Sequence, residues 1–146
     1  MKTHEFQARD LFASYGIPVS RGSVARTPDE AAAAFRSLGL ATCMWKVQVQ
    51  MGGRGKAGGV RRVTSPEEAA RYSSEYLGKL FSTYQSPEGR VVRTLLLTED
   101  KPIHAEYYLG ATIDRSHSCP VLLFSKEGGV DIEEVAAKDP GYILKH

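Results

Sequence analysis

No apolar run in this chain approaches the roughly 20 residues that a helix needs to cross a membrane. With 42% apolar and 25% charged residues, the composition predicts a soluble globular protein. Cysteine is scarce: Cys43 and Cys119 are the only two, and they fit neither a metal-binding spacing nor a disulfide framework. Both lie in apolar segments, which predicts buried free thiols in a reducing compartment. Charge of one sign is missing as well, since a net charge of +2 leaves no general drive towards nucleic acid or a membrane surface. The opening Met1-Lys2-Thr3-His4-Glu5 has no apolar core that would make a signal peptide, and no arginine-rich transit segment is visible. Low-complexity tracts and long linkers are absent, and 146 residues suffice for one domain with a real core.

Glycine, by contrast, is concentrated. Five glycines, one arginine and one lysine fill the eight residues Gly52-Gly53-Arg54-Gly55-Lys56-Ala57-Gly58-Gly59, directly after the alternating run Trp45-Lys46-Val47-Gln48-Val49-Gln50. Such a backbone approaches a ligand closely and reaches positive φ, while interleaved guanidinium and ammonium groups meet a polyanion. The P-loop pattern fails, because Gly55-Lys56 is followed by Ala57 where that loop needs a hydroxyl. The dinucleotide fingerprint fails too: Val60-Arg61-Arg62-Val63-Thr64 reads as a strand and not as a long helix. Two readings stay open on these residues alone, a flap that closes over nucleotide phosphates and a flexible glycine turn with solvated charges.

Two near-repeats organise the first half. Arg26-Thr27-Pro28-Asp29-Glu30-Ala31-Ala32 returns in kind as Thr64-Ser65-Pro66-Glu67-Glu68-Ala69-Ala70. In each, a hydroxyl caps a helix, proline fills its first position and a glutamate three residues on closes a capping box. Helices are expected over 28–38 and 66–77, each ending at a glycine. Strand-like runs over 19–25 and 59–64 precede them, and runs over 43–49 and 91–98 follow, giving two strand–helix–strand units with the glycine flap between. An amphipathic helix is expected near the N-terminus (Phe6, Leu11, Phe12, Tyr15), stopping at Gly16 before Pro18. Residues 106–115 and 120–124 predict a hairpin, and a short helix capped by Asp131, with Glu134 three residues on, follows Gly128-Gly129.

At this point four blocks resemble the succinate–CoA ligase β-subunit family: His4-Glu5-Phe6-Gln7-Ala8 through Pro18-Val19; Lys46-Val47-Gln48-Val49 with Gly52 to Val60; Tyr107-Tyr108-Leu109-Gly110 with Asp114-Arg115; and Gly128 to Ala136. The blocks keep their order and spacing over nearly the whole chain. The resemblance implies an α+β ATP-grasp fold with mixed or antiparallel sheets flanked by helices. Residues 1–18 would be an N-terminal helical segment, 19–105 a nucleotide-binding subdomain with its flap at 50–60, and 106–146 the start of a second subdomain. It implies conversion of succinate, coenzyme A and ATP (or GTP) to succinyl-CoA, with Mg2+ in the full-length protein and a phosphohistidine on a partner α subunit. His4, His104, His117 and His146 would then be ordinary polar residues, and the location cytoplasmic or mitochondrial matrix.

Carried over residue by residue, the resemblance puts Lys46 on the nucleotide phosphates. The residue's own chemistry agrees, because a lysine inside an apolar strand needs an anion or an exposed face. Gly53, Arg54 and Gly55 match the flap segment that contacts ATP. Glu106 matches a glutamate placed to accept ribose hydroxyls, and a hinge over 97–102 would face adenine. Counting back from Glu106 puts the usual hinge glutamate on Thr98, with Glu99 one step later; Glu99 is taken as the acidic residue. Gln50 stands where histidine is common, and ATP is not separated from GTP.

Length is the larger departure. The family's β subunits are more than twice as long, and their magnesium ligands and ligase domain would fall beyond His146. No catalytic residue or metal ligand is therefore assigned within 1–146. The chain is expected to be inactive alone and to bind nucleotide weakly; the alternatives are an interaction module, self-associating through exposed strand edges, or a piece of a related malate–CoA ligase. RNA binding through Gly53-Arg54-Gly55-Lys56 is argued against by the single short patch and the lack of interleaved aromatics.

Overall fold

Thr27 and Ser65 start their helices by the same device. The Thr27 hydroxyl accepts the Glu30 N–H at 3.1 Å and begins α2, Pro28–Leu38. The Ser65 hydroxyl accepts the Glu68 N–H at 3.1 Å and begins α3, Pro66–Tyr76. The return bonds differ from a strict capping box. Glu30 accepts from the Arg26 N–H at 2.6 Å and Glu68 from the Thr64 N–H at 2.8 Å, each one residue before the cap. The first helix, α1, Glu5–Ser14, buries none of its residues, and Leu11, Phe12 and Tyr15 are exposed. It closes in a Schellman motif: Gly16, at φ 74°, gives its N–H to the Ala13 carbonyl and Ile17 gives its own to Phe12, both at 3.0 Å.

This computed structural model describes residues 2–130 together with 132, 135, 137, 144 and 145. They fall into two units, Met1–Asp100 and Lys101–His146. The first unit carries a four-stranded antiparallel sheet of β1 (Gly22–Ala25), β2 (Cys43–Val47), β3 (Val60–Val63) and β6 (Leu95–Glu99), in the order β1-β6-β2-β3. Because β6 lies between β1 and β2 and runs against both, the two strand–helix–strand units interlock. Alternation along β2 turns Cys43, Trp45 and Val47 into the core. There they meet Leu95 and Leu97 of β6, Val63 of β3, Phe35 and Leu38 of α2 and Ala69 of α3.

The apolar run expected as one strand over 91–98 is two. Val92 turns fully into the core, donates its N–H to the Lys79 carbonyl and accepts the Gly78 N–H, both at 2.9 Å, so the chain up to Val92 is held by a different neighbour from β6. What precedes it is a separate hairpin, β4 (Leu80–Thr83) against β5 (Ser86–Val91). In the second unit β7 (Tyr108–Asp114) pairs with β8 (Cys119–Ser125) in the expected hairpin, and β9 (Leu144–Lys145) pairs with β8. Asp114 shapes the turn by accepting the Ser116 N–H at 2.8 Å. Cys119 is exposed while Cys43 is buried, so the expectation of two buried thiols holds for Cys43 alone: Cys119 opens β8 beside this turn. The cap assigned to Asp131 and Glu134 lies outside the described residues.

Candidate functional site

Trp45 determines where Lys46 points. Its indole N–H donates to the buried Ser73 hydroxyl of α3 at 3.1 Å, and its ring meets Tyr76 edge-on at 5.2 Å. With Trp45 fixed on the core face, alternation sends Lys46 to the other face of the sheet. The first turn of α1 lies there. Lys46 Nζ contacts Glu5 Oε1 at 2.9 Å, and the Arg54 guanidinium contacts Glu5 Oε2 at 2.9 Å. Two predicted phosphate-binding cations thus converge on one carboxylate. Gln48, almost fully buried, completes the surroundings: its carbonyl accepts the Phe6 N–H at 3.2 Å, and its amide lies 3.4 Å from Glu5 Oε2.

Burial pushes the Glu5 carboxyl up, but the hydrogen bond and charge of Lys46 and the charge of Arg54 outweigh it and hold Glu5 below the ordinary carboxylate range. His4 is lowered, by burial first and by the nearby Arg54 charge second.

The glycine loop is rooted at both ends. Arg54 donates to the Val47 carbonyl at 2.7 Å, folding the guanidinium back over the strand it follows. Within the loop, the Gly59 N–H reaches the Arg54 carbonyl at 2.8 Å, and the Gly59 carbonyl accepts from Val47 at 2.7 Å. At the far end Arg61 donates to the Gly58 carbonyl at 3.0 Å and to the Tyr76 hydroxyl at 2.7 Å, with its guanidinium 4.6 Å from the Tyr72 ring centroid. The β4–β5 hairpin forms a floor. A Cβ on Gly59 would stand 2.6 Å from Phe81 Cζ, and one on Gly53, at φ 72°, would stand 2.7 Å from the Tyr84 ring, whereas nothing lies within 4 Å at Gly55. Backbone approach decides two of these glycines and leaves the third open. A cleft of about 540 Å³ lies beside Arg54, lined by Lys2, Glu5, Gln50, Met51 and Gly52 among others.

The remaining predicted residues lie elsewhere. Glu99 pairs in register with Cys43, three residues from the Lys46–Leu96 pair, which puts it on the alternate face from Lys46. Its carboxylate accepts the Arg21 N–H at 2.8 Å and meets the Arg21 guanidinium at 3.4 Å. Thr98, the other hinge candidate, is buried and shares the Lys46 face. Glu106 belongs to the second unit, where its carbonyl accepts the Gly128 N–H at 3.2 Å and its carboxylate lies where a Cβ on Gly129 would be. Among the described residues no group of three or more His, Cys, Asp or Glu is arranged to hold a metal ion, and no helix is long and apolar enough to cross a membrane. Glu5 and Gln48 were not singled out by sequence. Their only signal is an acid in the first turn of a helix and a glutamine inside an apolar run.

An α+β lobe whose glycine-rich flap is rooted on a lysine-bearing strand has the architecture of an ATP-grasp fold. The chain belongs to that family: the family model for the ATP-grasp domain matches residues 2–146. It is 50% identical over 146 residues to the succinate–CoA ligase [ADP-forming] subunit beta of Geobacillus thermodenitrificans, covering 99% of this chain and 38% of that one. It thus spans well under half the length of this curated relative. Among solved structures, the dinucleotide forming acetyl-coenzyme A synthetase 1 of Ca. Korarchaeum cryptofilum, in complex with coenzyme A, Ca-AMPCP and HgCl+, superposes with a TM-score of 0.72 at 24% identity. That match covers 99% of this chain and 59% of the other. The same synthetase with a phosphorylated phosphohistidine segment gives a TM-score of 0.63 at 26% identity, over 90% and 55% of the two chains.

Proposed function

We propose that this chain is the nucleotide-gripping N-terminal part of an acid–CoA ligase β subunit, with Lys46 and the Gly53-Arg54-Gly55 segment taking the phosphates of ATP or GTP. The observation that carries the reading is the convergence of Lys46 and Arg54 on a single anionic position at the base of a glycine flap. A phosphate offers the same cations more oxygens and more charge than a carboxylate does. Gly55, with open space where a Cβ would be, leaves room for a ligand over the flap's tip. Half identity to succinate–CoA ligase β subunits supports succinate as the acid, a partner α subunit carrying the phosphohistidine, and magnesium as the counter-ion. In this reading the metal ligands come from the part of those relatives that the chain does not cover. On their own the 146 residues bind nucleotide without ligating anything, and the compartment is the one in which such ligases work, cytoplasm or mitochondrial matrix. Glu99 borders the adenine hinge in this reading.

The test is calorimetric titration of magnesium-ATP into the wild-type chain, Lys46→Ala and Arg54→Ala. Loss of a charge-assisted contact to phosphate should weaken binding by about tenfold or more in each variant. Affinity unchanged in either would overturn the reading, and succinate-dependent release of ADP by the isolated chain would overturn the part that denies it catalysis.

A further inference from the structure

Glu5 stands between the two cations that the nucleotide reading assigns to phosphate. Its two oxygens are divided between the two cations, Oε1 with Lys46 and Oε2 with Arg54, at 2.9 Å each. A phosphoryl group bridging the same pair would present two oxygens in the same way, so carboxylate and phosphate exclude one another there. Glu5 is the only acid among the described residues that forms an ion pair with either cation. It comes from α1, an element with no buried residue, so its arrival at Lys46 and Arg54 is not a by-product of core packing by that helix.

Resting on the nucleotide reading above, we infer that Glu5 is an internal competitor for nucleotide phosphate: it holds Lys46 and the flap arginine and must release them as phosphate binds. The release has a ready geometry. Arg54 is bound to the Val47 carbonyl through one terminal nitrogen at 2.7 Å and to Glu5 through the other. Exchanging the carboxylate for phosphate leaves the first bond, and with it the root of the flap, in place. The site keeps one net positive charge while Glu5 is bound, which is enough to attract a polyanion, and recovers two when Glu5 leaves. Glu5 is thus a positioning residue that lowers affinity in return for keeping the flap ordered when no nucleotide is present.

The competitor role gives a sign that a merely structural role does not. Calorimetric titration of magnesium-ATP, and of inorganic tripolyphosphate as a probe without base or ribose, is made into the 146-residue wild type, Glu5→Gln, Lys46→Ala and the Glu5→Gln/Lys46→Ala double variant. Two partly exposed ion pairs are released in advance by Glu5→Gln, so both ligands should bind about three- to tenfold more tightly. In the Lys46→Ala background the gain should shrink to under about twofold, because one of the two pairs is already gone. Glu5→Gln binding equally or more weakly, while Lys46→Ala loses affinity, would overturn the competitor role and leave the nucleotide reading standing. Lys46→Ala binding as wild type would remove the nucleotide reading and this inference together. Thermal melts establish that each variant is folded. Should Glu5→Gln not fold, Glu5→Asp takes its place, since it keeps the charge but is one methylene too short to reach both cations, and the same tightening is expected.

Discussion

The Trp45 indole N–H and the Ser73 hydroxyl meet at 3.1 Å with both residues fully buried. Ser73 passes the bond on to the Ala69 carbonyl at 2.7 Å, so a three-member chain links β2 to the first half of α3. Replacing Ser73 by alanine leaves a buried indole N–H without an acceptor. Such a group costs about 1–3 kcal/mol, and Ser73→Ala should lose that much in urea unfolding. Trp45→Phe removes the donor together with ring volume, so the double variant should cost less than the sum of the single ones. Strict additivity would show that the bond contributes nothing.

Gly59 and Gly55 lie four residues apart in the flap, and only the first should be sensitive to alanine. At Gly59 the new methyl would stand 2.6 Å from Phe81 Cζ and 3.2 Å from the Arg54 carbonyl, and Phe81 is buried, so the ring has little room to retreat. Overpacking of this kind costs roughly 1–3 kcal/mol, and Gly59→Ala should be destabilised by that amount. At Gly55 nothing is within 4 Å, and Gly55→Ala should keep its unfolding midpoint. If the two variants melt together, the floor under the flap is not as close as described.

Cysteine labelling distinguishes the two thiols. Burial, with a smaller push from the Asp100 charge, raises the Cys43 thiol to about 11, so it stays protonated through neutral pH, and its side chain is covered. Cys119 is exposed. An aromatic disulfide reagent at pH 8 should therefore modify one thiol rapidly in the folded protein and the second only after denaturant is added. Two equivalents reacting at once would contradict the burial of β2.

How much of this was legible in the sequence follows from the range of each contact. The helix starts at Thr27 and Ser65 use partners three or four residues away, and local spacing therefore read the hydroxyl caps, though not the glutamate bonds, which fall one residue earlier than a capping box places them. The flap between β2 and β3 was legible for the same reason. The Glu5–Lys46 contact spans 41 residues, and nothing local to either residue announces the other. The β4–β5 hairpin hid for a different reason: its turn is Tyr84-Gln85, which lacks glycine and proline, while Pro87 and Gly89 sit inside β5 and mimic a turn. The choice between Thr98 and Glu99 illustrates a third limit. Motif counting places a residue along the chain but not on a face, and a one-residue shift in a strand exchanges the faces.

The acid limb of the stability curve tests the Glu5 site without any ligand. In the folded chain Lys46 and Arg54 hold the Glu5 carboxyl below its ordinary value of 4.5 in spite of burial, whereas in the unfolded chain it titrates near that value. The unfolded state therefore binds the proton first as pH falls. The stabilisation is fully present above about 4.5 and drains away as pH drops towards and through the lowered folded value. Urea unfolding measured at steps from pH 6 to pH 3 should show the wild type losing stability faster below 4.5 than Glu5→Gln, which has no proton to take up at that position. Above that range the two should run parallel, because the remaining carboxylates titrate alike in both. Glu68, lowered chiefly by the Thr64 N–H, contributes a slope of the same sign, but it is present in both proteins and cancels in the difference. Identical acid limbs would mean that Glu5 is not bound to its two cations in solution, and the crossing of its carboxylate between Lys46 and Arg54 would have to be abandoned.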